Sequence, residues 1–199
     1  MQYDIKQGIQ GLIFDLDGTL ADTMPFHFRS WKIACGKFGA DIDKSFLRKH
    51  TGAPGWIIAK EIIKECKLNG SVTADELLEE KYKEFYKDQH LVKPIMPVVE
   101  IVKKYYGLIP MSVGTGGHNE AVGRTLEITD LAKYFDIIVT ANDVKNYKPH
   151  PETFLRCAEK MKIKPENIEV FEDGDLGLEA AASAGMIATD VRSWYDSKW

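Results

Sequence analysis

The 199-residue sequence holds only three cysteines, Cys35, Cys66 and Cys157, odd in number and far apart. That spacing fits no disulfide framework and no zinc site, so the thiols read as core filler in a reducing compartment. No segment approaches the roughly 20 apolar residues that a membrane helix needs. The stretch Met1-Gln2-Tyr3-Asp4-Ile5-Lys6 lacks the apolar core of a signal peptide, and a cytoplasmic protein is expected. There is no run of lysine or arginine, and the net charge is −4. Neither a nucleic-acid partner nor a membrane partner is expected. Internal repeats and low-complexity stretches are missing too. What is present, 44% hydrophobic and 28% charged residues, is the composition of one globular domain with an insertion, or of two small ones.

The chain is organised around Leu12-Ile13-Phe14-Asp15-Leu16-Asp17-Gly18-Thr19-Leu20. A near-continuous apolar run over residues 9–14 predicts a buried strand. It stops at two carboxylates, which are costly to bury unless a metal or a proton compensates them. From there to about residue 92 the periodicity is helical. A helix is predicted over Pro25 to Phe38, with Trp31, Ala34, Cys35 and Phe38 as its apolar stripe and His27 at the head of that stripe. Thr51-Gly52-Ala53-Pro54-Gly55 is a turn leading to a helix with Ala59, Ile62, Ile63 and Cys66 on one face. Thr73 and Glu76 form a capping box for the next helix. Along that helix Lys81 falls on the apolar side between Leu77 and Phe85, where its ammonium needs an anion or a route to water.

Beyond Pro94, helices and strands alternate. Strands are predicted over Leu108 to Val113, Phe135 to Thr140, Ile168 to Phe171 and Met186 to Val191. The tail Trp194-Tyr195-Asp196-Ser197-Lys198-Trp199 has no clear reading. This alternation predicts an α/β fold, a doubly wound parallel sheet with helices on both faces. Ligands of such sheets collect at the carboxyl ends of the strands. Asp15, Thr115 and Asp173 each follow a predicted strand closely, and Lys148 lies in the loop after another, so all four are expected to face one crevice.

The crevice inventory is Asp15, Asp17, Glu172 and Asp173, with Asp175 as a further candidate, one hydroxyl, one lysine and loop amides. Carboxylates crowded at one strand end call for a hard cation, and Mg²⁺ suits few protein ligands with retained waters. A lysine and a hydroxyl beside it suit a phosphate dianion. The amides of Thr115, Gly116, Gly117, His118 and Asn119 add an anion nest at a helix start. Two acids two residues apart can divide the work: one ionised to attack phosphorus, the other protonated to serve the leaving alkoxide.

These segments, Asp15-Leu16-Asp17-Gly18-Thr19, Thr115, Lys148-Pro149 and Glu172-Asp173, resemble in order the motifs of the haloacid dehalogenase superfamily. The resemblance covers the whole chain. It implies a Rossmann-like core of residues 1–21 and 93–199, and a helical cap of residues 22–92 inserted after the first strand. It implies Asp15 as the nucleophile that forms an aspartyl-phosphate, and Asp17 as general acid and then base. Thr115 and Lys148 would hold the phosphoryl oxygens. Asp15, the backbone carbonyl of Asp17, and Asp173 would bind Mg²⁺, with Glu172 nearby or acting through water. Thr23, His27 and Trp31 fit the β-phosphoglucomutase-like branch, and the segments around Thr115, Lys148 and Glu172 look like its fructose-1-phosphate phosphatase-like hydrolases. In that branch His27 and Lys81 match cap positions facing the substrate. The turn at Gly52–Trp56 lacks the arginine with which mutases grip a second phosphate, and Gly117 stands where a mutase offers serine.

The expected protein is therefore a monomeric, Mg²⁺-dependent phosphatase of a small phosphate monoester such as fructose 1-phosphate. A sugar phosphomutase is the alternative, with Arg48 as a substitute cap arginine. A phospho-acceptor receiver module would use Asp, Thr, Lys and Mg²⁺ on a similar sheet, but without some 70 helical residues after the first strand.

Overall fold

The computed structural model describes residues 3–196, so Met1, Gln2 and tail residues 197–199 lie outside it. Five parallel strands form one sheet: β1 Gly11–Phe14, β2 Met111–Gly114, β3 Ile137–Val139, β4 Ile168–Glu172 and β5 Ile187–Asp190. Their spatial order is β3-β2-β1-β4-β5. The chain builds outward from β1 to one edge, returns to β4 beside β1, and finishes at the other edge. The β1/β4 junction is thus the topological switch point, where ligands of such sheets sit. β1 pairs with both inner neighbours (Leu12 with Met111, Phe14 with Phe171) and is buried along its length. Burial on both faces explains its unbroken apolar run.

The strands are shorter than their apolar runs suggest. β1 starts at Gly11 and not at residue 9. Leu108 is 71% exposed because Tyr105 to Leu108 form a turn, with Gly107 at φ +75°, before pairing begins. A helical turn at Ala132–Tyr134 likewise delays β3 to Ile137.

After β1 the chain enters α1 Met24–Lys37, α2 Lys44–Lys49, α3 Gly55–Glu65 and α4 Ala74–Asp88 before it returns to the sheet layer. They share an apolar cluster of their own, with Trp31, Ala34, Cys35, Ile62 and Leu77 fully or nearly fully buried. The Thr73–Glu76 capping box forms. α2 has no counterpart in the sequence expectations; the Asp43 carboxylate caps it by accepting from the Phe46 amide at 2.8 Å. The two linkers to the sheet lie side by side, bridged at Ala21 and Pro94.

The remaining helices are α5 Met96–Tyr105, α6 Asn119–Ile128, α7 Glu152–Met161 and α8 Asp175–Ser183. They cover the sheet. One apolar layer gathers Phe14, Val98, Val102 and Phe171, and the opposite one Ile13, Phe154, Val170 and Ala180. Among the described residues no helix is long and apolar enough to cross a membrane.

Candidate active site

Three strand ends meet at the switch point. Asp15 continues β1, its amide donating to the Phe171 carbonyl at 3.0 Å, and Thr115 continues β2 by donating to Val139 at 2.9 Å. Glu172 is the last residue of β4, with Asp173 next. Lys148 enters from the loop before α7, and its ammonium donates to Asp15 Oδ1 at 2.6 Å and Glu172 Oε1 at 2.7 Å. All three are buried. Burial alone would lower the Lys148 pKa, but the Asp15 and Glu172 carboxylates outweigh it and hold the ammonium above its ordinary range. Glu172 Oε2 also accepts from the Gly174 amide at 2.6 Å.

Carboxylate oxygens of Asp15, Glu172 and Asp173 lie within 4.8 Å of one another. Three carboxylates face one ammonium, which leaves two negative charges uncompensated. Burial pushes the carboxyls of Asp15 and Asp173 well above the ordinary range, and the neighbouring carboxylates push them further. The Asp173 carboxylate accepts from the Thr19 hydroxyl at 3.0 Å. This donor set, hard oxygens in charge excess, fits a divalent cation such as Mg²⁺. Asp17 stands outside the side-chain cluster, as it must if only its backbone carbonyl is to serve a metal. Asp175 stands outside too; its exposed carboxylate pairs with Arg192 at 2.8 Å.

Asp17 points the other way, toward α1. Its Oδ1 accepts from the Thr23 hydroxyl at 2.7 Å and from His27 Nε2 at 3.1 Å. Burial raises its pKa, but the charge and hydrogen bond of His27 and the bond from Thr23 more than reverse this, so the carboxyl sits below its ordinary range. Thr23 and His27 thus favour the carboxylate form of Asp17. His27 Nδ1 accepts from the Lys81 ammonium at 3.1 Å. In its neutral form the imidazole would carry its hydrogen on Nε2, toward Asp17, and offer Nδ1 to Lys81. Burial and the Lys81 charge both lower the imidazole pKa.

Above these residues a cavity runs between sheet and helices. Asp15, Asp17, Thr115, Gly116 and Gly117 form its floor, and His27, Trp31, Lys81 and Tyr82 close it from above. At Gly116 a Cβ would collide with the Gly52 carbonyl, so only glycine allows the helical layer this close.

His118 and Asn119 do not reach this cavity. Asn119 is held by the loop after β3, donating its amide to Asn142 Oδ1 at 3.1 Å and accepting from the Thr140 hydroxyl; the His118 ring packs near Tyr82. The expected amide nest is correspondingly smaller. The amides of Thr115, Gly117 and Asn119 are engaged by Val139, the Thr115 hydroxyl and Asn142. Because Thr115 Oγ1 accepts from Gly117, its own O–H is left to donate.

Lys81 is only 3% exposed, set among the rings of Trp31, Tyr82 and Phe85. Its pKa falls from 10.5 to about 7, chiefly through burial, with Asp17 acting in the opposite direction. The folded protein thus binds this proton less tightly than the unfolded chain, and stability is lost as pH falls from 10.5 toward 7. A Lys81→Met variant should be more stable than the parent at neutral pH and below, by on the order of a few kcal/mol. The gap should close above pH 10.5. Thermal unfolding across this range checks it; equal Tm values at about pH 6 would contradict the reading.

The chain matches the haloacid dehalogenase-like hydrolase family over residues 12–191. It is 41% identical over 184 residues to the fructose-1-phosphate phosphatase YqaB of Escherichia coli K12, covering 92% of this chain and 96% of that protein. It is 31% identical over 183 residues to a phosphorylated carbohydrates phosphatase of Thermotoga maritima, covering 89% and 82%. Among solved structures, the β-phosphoglucomutase of Clostridium difficile superposes with a TM-score of 0.81 at 28% identity, covering 92% of this chain and 84% of that one. With its sheet, its strand-end carboxylates and these matches taken together, the chain belongs to the haloacid dehalogenase-like hydrolase family.

Proposed function

We propose that this phosphoric monoester hydrolase cleaves a small sugar phosphate, fructose 1-phosphate being the first candidate, through an aspartyl-phosphate on Asp15. The observation that carries this reading is the Asp15 carboxylate at the switch point, held by Lys148 at 2.6 Å and facing the cavity floor beside Asp17 and Thr115. The E. coli and Thermotoga relatives support the substrate class.

In this mechanism Asp15 is the nucleophile and bonds to phosphorus as the ester oxygen departs. Lys148 uses two of its three N–H donors on Asp15 and Glu172, leaving one for a phosphoryl oxygen. The Thr115 hydroxyl offers a second donor. Asp15 and Asp173, with the Asp17 carbonyl and Glu172 close by, would hold Mg²⁺. When bound, that cation supplies charge neutralisation at the phosphoryl oxygens. Asp17 protonates the leaving alkoxide and later takes a proton from the water that cleaves the acyl phosphate. The Thr23 and His27 donors that hold Asp17 favour its carboxylate form. An incoming phosphate dianion favours its protonated form, and release from the two α1 donors frees it to turn toward the ester oxygen.

Residues 22–92 act as a cap over the core of residues 1–21 and 93–199. The cap swings on the paired linkers at Ala21–Thr23 and Val92–Pro94 to admit substrate. His27 and Lys81 hold the sugar phosphate from above. The enzyme is expected to work as a cytoplasmic monomer.

The mutase alternative needs a cation for a second phosphate. Arg48 lines a different cavity, beside Asp173 and Arg192, and not the one over Asp15. A panel of sugar monophosphates, assayed for free phosphate and for isomerised product, separates the two readings. Free phosphate is expected; product isomer that depends on a bisphosphate activator would overturn the hydrolase reading. EDTA should lower the rate by at least about a hundredfold, and Mg²⁺ should restore it.

A further inference from the structure

The residues after β5 form a strap across the strand ends. Arg192 is chelated by Asp190 and also pairs with Asp175 at 2.8 Å. Trp194 packs on Phe171 and Tyr3 with ring centroids 6.0 and 5.1 Å apart. These contacts deliver Tyr195, whose hydroxyl donates to the Gly18 carbonyl at 2.8 Å. This bond links the last described segment to the first motif, 177 residues earlier.

Gly18 is where a pin matters. Its φ is +86°, a region in which only glycine is unstrained, and glycine peptides reorient at small cost. The Gly18 amide is held by the Ala21 carbonyl at 2.8 Å. The Tyr195 hydroxyl holds the carbonyl end. A Cβ at Gly18 would strike the Asp173 carboxylate, so that carboxylate rests directly against this peptide. The Asp17 carbonyl lies one peptide upstream. Tyr195 and Asp173 also share the walls of a second cavity, beside Arg48 and Thr51.

We infer that Tyr195 is a positioning residue for the divalent cation: its hydroxyl fixes the Asp17–Gly18–Thr19 turn against Asp173, and so sets the distance between the metal-holding oxygens of β1 and β4. The inference rests on the proposed Mg²⁺ reading of the acidic cluster. Tyr195→Phe removes one oxygen and keeps the ring that packs on the core.

Equilibrium binding of Mg²⁺ by calorimetry, and of Mn²⁺ by electron paramagnetic resonance, tests this without turnover. The Tyr195→Phe protein should bind either ion about three- to tenfold more weakly, the scale of one lost hydrogen bond. Its unfolding temperature should stay close to that of the parent. Its kcat at saturating Mg²⁺ should hold while the Mg²⁺ concentration for half-activation rises by the same factor. Unchanged binding in Tyr195→Phe, with normal binding by the parent, overturns the role of Tyr195 and leaves the Mg²⁺ reading standing. A parent protein that binds neither ion overturns both. If weakened binding comes with a large drop in unfolding temperature, Trp194→Phe serves as comparison: an equal loss of affinity there marks the effect as general loosening of the strap and overturns the specific role of the hydroxyl.

Discussion

Asp15→Asn should lower phosphate release by about 10⁴-fold or more, because the amide cannot form the acyl phosphate through which turnover is proposed to run. Initial rates on p-nitrophenyl phosphate and on a sugar phosphate measure it. The substitution is nearly isosteric and keeps a group beside Lys148, so folding should survive. Full activity in this variant would remove Asp15 as nucleophile and, with it, the aspartyl-phosphate reading. The result would also bear on the charge pattern. Asp15 is a buried carboxyl flanked by Glu172 and Asp17, and neutralising it relieves some repulsion at the expense of its charge pairing with Lys148.

Lys148→Met should have the second large effect, on both stability and rate. The ammonium is fully enclosed and touches two buried carboxylates. Breaking a buried pair by deleting one partner costs about 3–5 kcal/mol, since the other charges stay behind. For a chain of this size that corresponds to a fall in Tm of roughly 6–20 °C. Phosphate release should drop by at least about 10³-fold, as an electrostatic contact to the transferring group is lost. Added Mg²⁺ should recover part of the Tm and little of the rate, because a cation can replace the missing charge but not the missing donor. A Tm within 1–2 °C of the parent, or about 0.5 kcal/mol, would show that Asp15 and Glu172 are compensated some other way.

The strand-end groups of this site were legible because each needs only its own strand. Asp15, Thr115 and Glu172–Asp173 follow apolar runs directly, and a parallel sheet brings such ends together whatever the loops do. The position of Lys81 on α4 was legible for a similar reason, since helical spacing alone puts it between Leu77 and Phe85. Relations that depend on two distant segments were not legible. The amides of Thr115, Gly117 and Asn119 were open to a ligand in sequence, but the β3 strand and its following loop claim two of them. Asp175 looked like a fifth acid until Arg192, 17 residues on, drew it outward. The protonation of Asp17 was read from the division of work between two acids; its contacts in the fold are with Thr23 and His27, at the start of α1. The six-residue α2 was missed because so short a helix has little periodicity, and the signal that existed was the Asp43 cap. Tyr195 lay in a tail with no pattern at all.

The side-by-side linkers carry a consequence for how the chain is made. During synthesis β1 emerges about a hundred residues before its partner β2, as the pairing of Leu12 with Met111 requires. Closing so long a loop is entropically unfavourable and slow, and non-local pairing is what retards folding. The intervening helices have their own apolar cluster and can collapse as soon as α4 leaves the ribosome. Once they do, Ala21 and Pro94 stand adjacent. The effective loop between β1 and β2 then shrinks from about a hundred residues to a few tens, and the closure cost falls by roughly 1 kcal/mol. The inserted helices would thus act, before any substrate is met, as an internal splint that presents the central strand to the rest of the sheet.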